Sequence, residues 1–308
     1  MGETLTQRHA PTPPRGTFPI STPNIAHPRV GFGEFTATWI GHSTVLLQIG
    51  GLNVLTDPIF SQRAFPVQWM GPRRVMDPGL PIEALPPIDA VVLSHNHYDH
   101  LDRPAVKQIT RAHPEATWVA PVGVGARIRG WGAREIIELD WWQHAVIDKL
   151  RVTAIPARHF SGRRVGDRNR SLWCGFALDV EGRRALFAGD TAFHPAFSEI
   201  GAKCGPFDLV MMPIGAYDPR WFMSNVHMNP EEAVQAYQDL VAPHPGTPLP
   251  IMLGVHWGTF RLTQEAMDEP PRRTLARWRA VGLDEHRLWI ARFGETRTVT
   301  HSSQRERS

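Results

Sequence analysis

Residues 94–100 read Ser94-His95-Asn96-His97-Tyr98-Asp99-His100 and directly follow the apolar run Ala90-Val91-Val92-Leu93. They bring three imidazoles and one carboxylate together, a density of ligand-type side chains that few structural roles require. Imidazole and carboxylate suit Zn²⁺ and its first-row neighbours, and the order H-x-H-x-D-H supplies enough ligands for two ions. We therefore predict a dinuclear metal site. The alternative, a histidine-rich surface loop, predicts no structured partners for these histidines elsewhere in the chain.

Three later segments each carry one ligand-type residue just after a strand-like apolar run. Any one of them alone would more often be an ordinary loop residue, but their order after the first motif is specific. The residues predicted to face the first ion are His95, His97 and His159, and those predicted to face the second are Asp99, His100 and His256. Asp190 is the natural bridge because a carboxylate has two oxygens to share. Two ions about 3.5–4 Å apart can clamp a hydroxide between them, since bound water has its pKa lowered to roughly 7.

Other residues are candidates for supporting the metals or contacting a substrate. Asp57, in Thr56-Asp57-Pro58, offers a carboxylate to the second nitrogen of a ligating imidazole, although a turn aspartate before proline is nearly as good an explanation. His42 and His227 are candidates for substrate contact or proton delivery, against the commoner structural role of a lone histidine. We take Asp99 and His227 as candidate catalytic residues and Tyr98 as a further candidate near the substrate.

An arginine-rich segment surrounds His159. Its members are Arg158, Arg163, Arg164, Arg168 and Arg170, with Asp167 as the single acid among them. Guanidinium groups are the preferred partners of phosphate oxygens, so this segment, with Arg158 and Arg163 foremost, is a candidate site for an anionic substrate. A solvated basic loop is the alternative.

The composition is that of a globular protein, with 308 residues, 42% of them hydrophobic and 20% charged. No apolar run approaches the roughly 18 residues that cross a bilayer, and the N-terminus lacks a signal pattern. Only Cys174 and Cys204 are present, too few for a disulfide framework, so we expect a reducing, cytoplasmic compartment. No basic stripe alternates with aromatic residues, which argues against nucleic acid as a partner.

The pattern along the chain predicts one domain over residues 34–300, between a proline-rich N-terminal arm (1–33) and a polar C-terminal tail (301–308). Helices are predicted at 103–113, 230–241 and 271–281, the first of them behind Asp102 as a capping residue. Strands are predicted at 36–40, 44–49, 52–56, 90–93, 117–120, 135–139, 150–155, 172–180, 184–188 and 209–213. Hairpins, crossover helices and ligands at strand ends together predict a layered α/β sandwich with its site along one edge.

With these residues identified, the chain resembles the metallo-β-lactamase fold superfamily of metal-dependent hydrolases. Within that superfamily it is most similar to the N-acyl-phosphatidylethanolamine-hydrolysing phospholipase D family, from about residue 35 to residue 299. The segments that carry the resemblance are Trp39–Thr44, Leu55–Ser61, Leu85–Asp102, Glu138–Trp142, Phe187–Thr191, Pro213–Met223 and His256–Phe260. The ligand motifs are shared by the wider superfamily, whereas Pro213–Met223 and His256–Phe260 are more particular to the phospholipase family.

The resemblance implies a four-layer αββα sandwich and two zinc ions, with Mn²⁺ or Fe²⁺ as alternatives. It implies the same ligand sets as above, with Asp190 shared between the ions, and it places His227 near the substrate phosphate. It also implies hydrolysis of a phosphodiester in a lipid headgroup, releasing an N-acylethanolamine and phosphatidic acid. Peripheral contact with the inner membrane surface is left open, because the arm lacks a clear apolar stripe. A homodimer is left open as a separate possibility.

One departure concerns the segment after the third ligand, where Phe160 stands in place of an expected tryptophan. A lactonase or another carbonyl hydrolase is the alternative, since one fold hosts many reactions. A metal-binding protein without turnover would be expected to have lost a ligand, and none is missing here.

Overall fold

Two seven-stranded β-sheets form the centre of the molecule over residues 10–300, which are the residues that the computed structural model describes. The strands are Phe35–Gly41 (β1), Thr44–Ile49 (β2), Leu52–Thr56 (β3), Ala90–Val92 (β4), Thr117–Pro121 (β5), Ile136–Leu139 (β6), His144–Ile147 (β7), Leu150–Ile155 (β8), Gly175–Val180 (β9), Arg183–Phe187 (β10), Leu209–Pro213 (β11), Ile251–Val255 (β12), Leu288–Trp289 (β13) and Thr296–Thr298 (β14). The α-helices are Arg103–Ala112 (α1), Gly125–Arg129 (α2), Ala196–Cys204 (α3), Arg220–Met223 (α4), Pro230–Val241 (α5) and Glu269–Ala280 (α6).

The first sheet has the strand order β14-β1-β2-β3-β4-β5-β6. Strands β1 to β3 are antiparallel neighbours, and β3 to β6 are parallel. The predicted turn between β2 and β3 is confirmed, because Gly50 and Gly51 both adopt positive φ angles of 54° and 84°. A two-residue hairpin loop of this kind favours glycine, which has no Cβ to clash in that conformation.

The second sheet has the order β13-β12-β11-β10-β9-β8-β7. Strands β10 to β13 are parallel, whereas β7 to β10 are joined as antiparallel pairs. Strands β8, β10 and β12 consequently run in the same direction and end at the same edge. That edge is where the sequence places His159, Asp190 and His256.

Alternating side chains divide the apolar residues between layers. Val54 faces the core shared by the two sheets, and its neighbour Leu55 belongs to a second core beneath α1, with Val106 and Ile109. On the far side, α3, α5 and α6 bury residues such as Phe197, Tyr237 and Trp278 against the second sheet. These layers confirm the predicted αββα sandwich.

Most predicted elements are confirmed, and the differences have local causes. The predicted strand 172–180 begins only at Gly175, because the N–H groups of Leu172 and Cys174 donate to Val122 and Ser94 outside the strand. The predicted helix 271–281 spans Glu269–Ala280 instead. The sequence interpretation missed α2, α3, α4, β7, β13 and β14, all of which except α3 are very short.

The prediction that Asp102 caps α1 with its side chain is wrong. Asp102 occupies the capping position, but its carboxylate makes no bond to the first turn. It accepts hydrogen bonds from the N–H groups of Phe60 and Ser61 and from the Ser61 hydroxyl, at 2.8–3.0 Å. The carboxylate therefore anchors the loop after β3 rather than the helix.

Residues 10–33 contain neither a helix nor a strand, and an isolated bridge joins Ile20 to Phe293. Residues 1–9 of the predicted arm and the predicted tail 301–308 lie outside the described residues. Within the described part of the chain, no helix has the length and apolar character needed to cross a membrane.

Gly201 allows α3 to approach α5 closely, which predicts a stability cost for any side chain there. A Cβ at this position would lie 2.2 Å from the Leu240 carbonyl oxygen. Gly201→Ala should therefore lower the free energy of unfolding by about 1–3 kcal/mol, although alanine is intrinsically the better helix former. Urea unfolding measures the change. Gly33→Ala is the control, because a Cβ there meets no atom within 4 Å; equal stability of the two variants would contradict the prediction.

Candidate metal centre

The predicted ligands come together where strands of both sheets end. His95 follows β4 in the first sheet, and His159, Asp190 and His256 follow β8, β10 and β12 in the second. Each ligand thus sits on a short connection held by a buried strand. Functional side chains held by rigid elements in this way are positioned precisely by the fold itself.

The first set of ligand atoms consists of three imidazole nitrogens. His95 Nε2 lies 2.8 Å and His159 Nε2 lies 3.2 Å from His97 Nδ1. His95 and His159 are buried, and burial lowers the pKa of both rings well below the usual value, which keeps them neutral. Neutral imidazole is the form that ligates a metal ion.

The second set surrounds Asp99 Oδ2. The Nε2 atoms of His100 and His256 each lie 3.3 Å from this oxygen. The Nε2 atom of His42 lies 3.0 Å from it, so His42 joins the set that the sequence assigned to the second ion. His42 is buried with a positive φ of 53°, and its N–H donates to Thr259 Oγ1 at 2.7 Å.

Asp190 lies between the two sets, as the bridging assignment requires. Its Oδ2 atom is 3.8 Å from the Nε2 atoms of His95 and His159. The same oxygen is 3.0 Å from His100 Nε2 and 3.2 Å from His256 Nε2. A single carboxylate oxygen therefore reaches ligand atoms of both sets.

Although Asp190 Oδ2 lies close to both rings, His100 Nε2 and His256 Nε2 make no hydrogen bond of acceptable geometry within residues 10–300, and Asp190 Oδ1 makes none either. Unsatisfied buried polar atoms cost about 1–3 kcal/mol each unless another group meets them. Burial lowers the pKa of His256, but the negative charges of Asp190 and Asp99 outweigh burial and raise this pKa to about 9. The two carboxylates therefore favour a positive charge at this place. The donor set, all nitrogen and carboxylate oxygen, fits divalent ions of the zinc type.

Protein groups hold the second nitrogens of three ligand rings, those of His95, His100 and His159. Asp57 is fully buried, and its Oδ2 lies 2.6 Å from His100 Nδ1 while its Oδ1 accepts the N–H of Ser94 at 2.6 Å. His95 Nδ1 lies 2.8 Å from Ser94 Oγ, and His159 Nδ1 lies 2.8 Å from the Val226 carbonyl. Such contacts fix the tautomer and aim the opposite nitrogen at the metal.

Sequence reasoning missed three of these supports. Ser94, Thr259 and the Val226 carbonyl were not singled out as site residues. Adjacency offered a signal for Ser94, which precedes the first ligand, and for Thr259, which lies in the segment that begins at His256. The Val226 carbonyl has no sequence signal, because any residue supplies one.

His227 is buried beside the first set, with its ring 5.0 Å from that of His159 and 5.3 Å from that of His256. Its Nδ1 atom has no hydrogen-bond partner in the described chain. Burial lowers the pKa of His227 to about 4, so the ring is neutral near pH 7. A neutral ring can donate a hydrogen bond from one nitrogen and accept with the other.

The arginines near His159 are largely engaged by the protein itself. Arg163 donates to the carbonyls of Asn96 at 2.9 Å and Leu101 at 2.7 Å, and its guanidinium lies 3.8 Å from the Tyr98 ring centroid. Arg158 donates to Asn225 Oδ1, and Arg168 lies over the Phe160 ring. Arg163 and Tyr98 thus brace the loop that carries His97 and Asp99.

The sequence and the fold of this chain are similar to those of known proteins. Residues 52–257 match the family described as Beta-lactamase superfamily domain. An uncharacterized protein of Mycobacterium tuberculosis is 45% identical over 274 residues, covering 88% of this chain and 71% of that protein. N-acyl-phosphatidylethanolamine-hydrolyzing phospholipase D 1 of Caenorhabditis elegans is 40% identical over 245 residues, covering 76% of this chain and 67% of that protein. Among solved structures, isothiocyanate hydrolase from Delia radicum gut bacteria has the same fold, with a TM-score of 0.67 and 19% identity over 87% of this chain and 99% of that one.

Asp57→Asn tests whether the buried carboxylate orients His100. The amide lacks the negative charge that holds the His100 Nδ1 proton, so zinc affinity should fall by about 10–100-fold. Competition with a chromophoric chelator measures it. Asp148→Asn is a control, since Asp148 also has a positive φ but is exposed and lies in the turn before β8, at the opposite end of that strand from His159. Unchanged zinc affinity in Asp57→Asn would remove this residue from the site.

Proposed function

The chain belongs to the β-lactamase superfamily and has the fold of its metal-dependent hydrolases, and on this basis we propose that it is a two-metal phosphodiesterase of the phospholipase D type. The proposed substrate is N-acyl-phosphatidylethanolamine or a related diester, cleaved to an N-acylethanolamine and phosphatidic acid. The observation that carries this proposal is the complete ligand set around Asp190 in a chain 40% identical to a phospholipase that hydrolyses this lipid.

We propose zinc as the native metal at both sites. His95, His97 and His159 would hold the first ion, Asp99, His100 and His256 would hold the second, and Asp190 would contact both. A bound pair of divalent ions would activate a water molecule for attack on phosphorus and offset the charge on the phosphoryl oxygens. The protein residues keep this geometry through Asp57, Ser94 and the Val226 carbonyl, which fix the rings from behind.

His227 is the proposed contact to the substrate phosphate. It borders both ligand sets, and its Nδ1 atom is without a partner in residues 10–300. As a neutral ring it can donate a hydrogen bond to a phosphoryl oxygen, an interaction that strengthens as negative charge develops there. Asp99, whose side chain is 14% exposed, is the most open of the three carboxylates in the site.

An exposed aromatic pair supports an amphiphilic substrate. Trp221 is 81% and Phe222 is 62% exposed, and both lie on α4. The helix connects directly to the site, because the His227 N–H donates to the Met223 carbonyl. Aromatic side chains favour the boundary between water and lipid, so we propose that α4 touches a lipid surface near the site.

The decisive experiment measures metal content and lipid hydrolysis together. The wild type should carry about two metals per chain and release N-acylethanolamine from N-acyl-phosphatidylethanolamine in detergent. His256→Ala should lose both the second metal and the product, whereas His144→Ala, at an exposed histidine on β7, should retain both. Cleavage of other diesters alone would redirect the substrate, and hydrolysis of lactones with no diester cleavage would overturn the reaction class.

Replacement of the exposed aromatic pair tests the lipid contact. Trp221→Ser with Phe222→Ser should weaken binding to phospholipid vesicles by about tenfold or more, because partial burial of two rings contributes over 1 kcal/mol. Cosedimentation measures binding, and turnover of detergent-dispersed substrate should change little. Val146→Ser removes a 57% exposed apolar side chain from β7 and serves as the control. Equal vesicle affinity in all three proteins would exclude α4 as the contact.

A further inference from the structure

A cavity of about 660 Å³ opens beside the loop that carries the metal ligands, and its lining is strongly basic. The cationic residues that line it are Arg63, Arg103, Lys107, Arg127, Arg163 and Arg164. Asp102 is the single acid in the lining. We call this site the basic cavity.

The charges of the basic cavity are mostly unneutralised. The Asp102 carboxylate is 4% exposed and is occupied by the N–H groups of Phe60 and Ser61. Arg127 lies 3.6 Å from Asp167, but Arg103, Lys107 and Arg164 make no ion pair within 4 Å among residues 10–300. Several cations therefore surround one space with little opposing charge inside it.

The placement of two of these cations opposes the local electrostatics of α1. Arg103 occupies the first turn of this helix, which contains no acid, and Lys107 follows one turn later on the same face. A cation near a helix N-terminus is unfavourable by about 0.3–1 kcal/mol, and like charges four residues apart repel. An anion bound between the two side chains would remove both penalties.

Three aromatic side chains also line the basic cavity, which favours an organic ligand over a simple ion. Phe65, Tyr98 and Trp131 line the basic cavity, and the Phe65 and Tyr98 rings lie 6.2 Å apart. The Arg163 guanidinium is 3.8 Å from the Tyr98 ring centroid and 5.3 Å from that of Trp131. The volume falls within the range of about 300–1,000 Å³ that is usual for pockets holding organic molecules.

We propose that the basic cavity binds an organic anion with more than one phosphate group, at a site separate from the metal ligands. Arginine and lysine side chains recognise phosphate oxygens, and the aromatic walls would hold the carbon framework. The phosphates belong either to the part of a substrate remote from the scissile bond, an option that rests on the proposed function, or to a free organic phosphate.

Arg163 and Tyr98 connect the basic cavity to the metal centre. Arg163 lines the cavity while its guanidinium holds the carbonyls of Asn96 and Leu101, on either side of the ligands His97, Asp99 and His100. Tyr98 lies between two of those ligands, and its hydroxyl donates to the Arg163 carbonyl at 3.0 Å. A molecule bound in the cavity would therefore contact residues that hold the loop with His97, Asp99 and His100.

Binding is tested on the metal-loaded protein with pyranine, a trisulfonated pyrene, followed by fluorescence anisotropy at physiological ionic strength. Lys107→Glu should raise its Kd by about tenfold or more, corresponding to about 1.4 kcal/mol. Arg272→Glu makes the same change in net charge at an exposed residue of α6, in the opposite outer layer, and should change Kd by less than about twofold. Glucose bisphosphate should displace the probe. Equal effects of the two substitutions, no effect of either, or failure of glucose bisphosphate to compete would each overturn the proposal.

A kinetic comparison then identifies the source of the phosphates. If they belong to the substrate, Lys107→Glu should lower kcat/KM for a diester with a phosphorylated leaving alcohol and spare a diester with a neutral one. If they belong to a free ligand, glucose bisphosphate should alter wild-type turnover of the neutral diester and leave Lys107→Glu unaffected. The pyranine titration needs no turnover, so failure of the proposed function would not be mistaken for failure of this proposal.

Discussion

The position of Asp190 Oδ2, within 3.0–3.8 Å of four imidazole nitrogens, is the constraint around which the molecule is organised. A buried carboxylate surrounded by buried rings is costly unless positive charge and hydrogen bonds meet every polar atom. Some of these polar atoms are satisfied within the protein, since Asp57 contacts the Ser94 N–H and the His100 ring. The other imidazole nitrogens and carboxylate oxygens form groups that fit divalent ions. The strands bring these groups together at one edge of the sandwich.

Each candidate ligand set draws on both sheets. The first sheet delivers His95, His97, Asp99 and His100 on one loop after β4, whereas the second delivers its ligands one at a time after β8, β10 and β12. The apolar core between the sheets fixes their separation, since interiors are close-packed and resist small shifts. The packing that stabilises the core between the sheets therefore also sets the distance from Asp190 to each ring.

The basic segment around His159 contributes arginines to two kinds of environment. Arg158, Arg163 and Arg168 are engaged with side chains, carbonyls or rings of the protein. Arg163 and Arg164 of the same segment line the basic cavity, where α1 contributes Arg103 and Lys107 from a different part of the chain. The basic segment in sequence therefore supplies only some of the cations that surround this space.

The sequence by itself determined the layered sandwich and predicted the candidate ligand residues and their order, because ligand chemistry and strand periodicity are local properties of the sequence. It also identified Asp57 as a candidate support for a ligating imidazole. The tertiary structure alone decided that His42 joins the second ligand set, that Asp102 anchors a loop instead of capping α1, and that Arg163 braces the metal loop. These outcomes depend on contacts between residues tens of positions apart, whose distances are fixed only when the strands pair and the sheets pack.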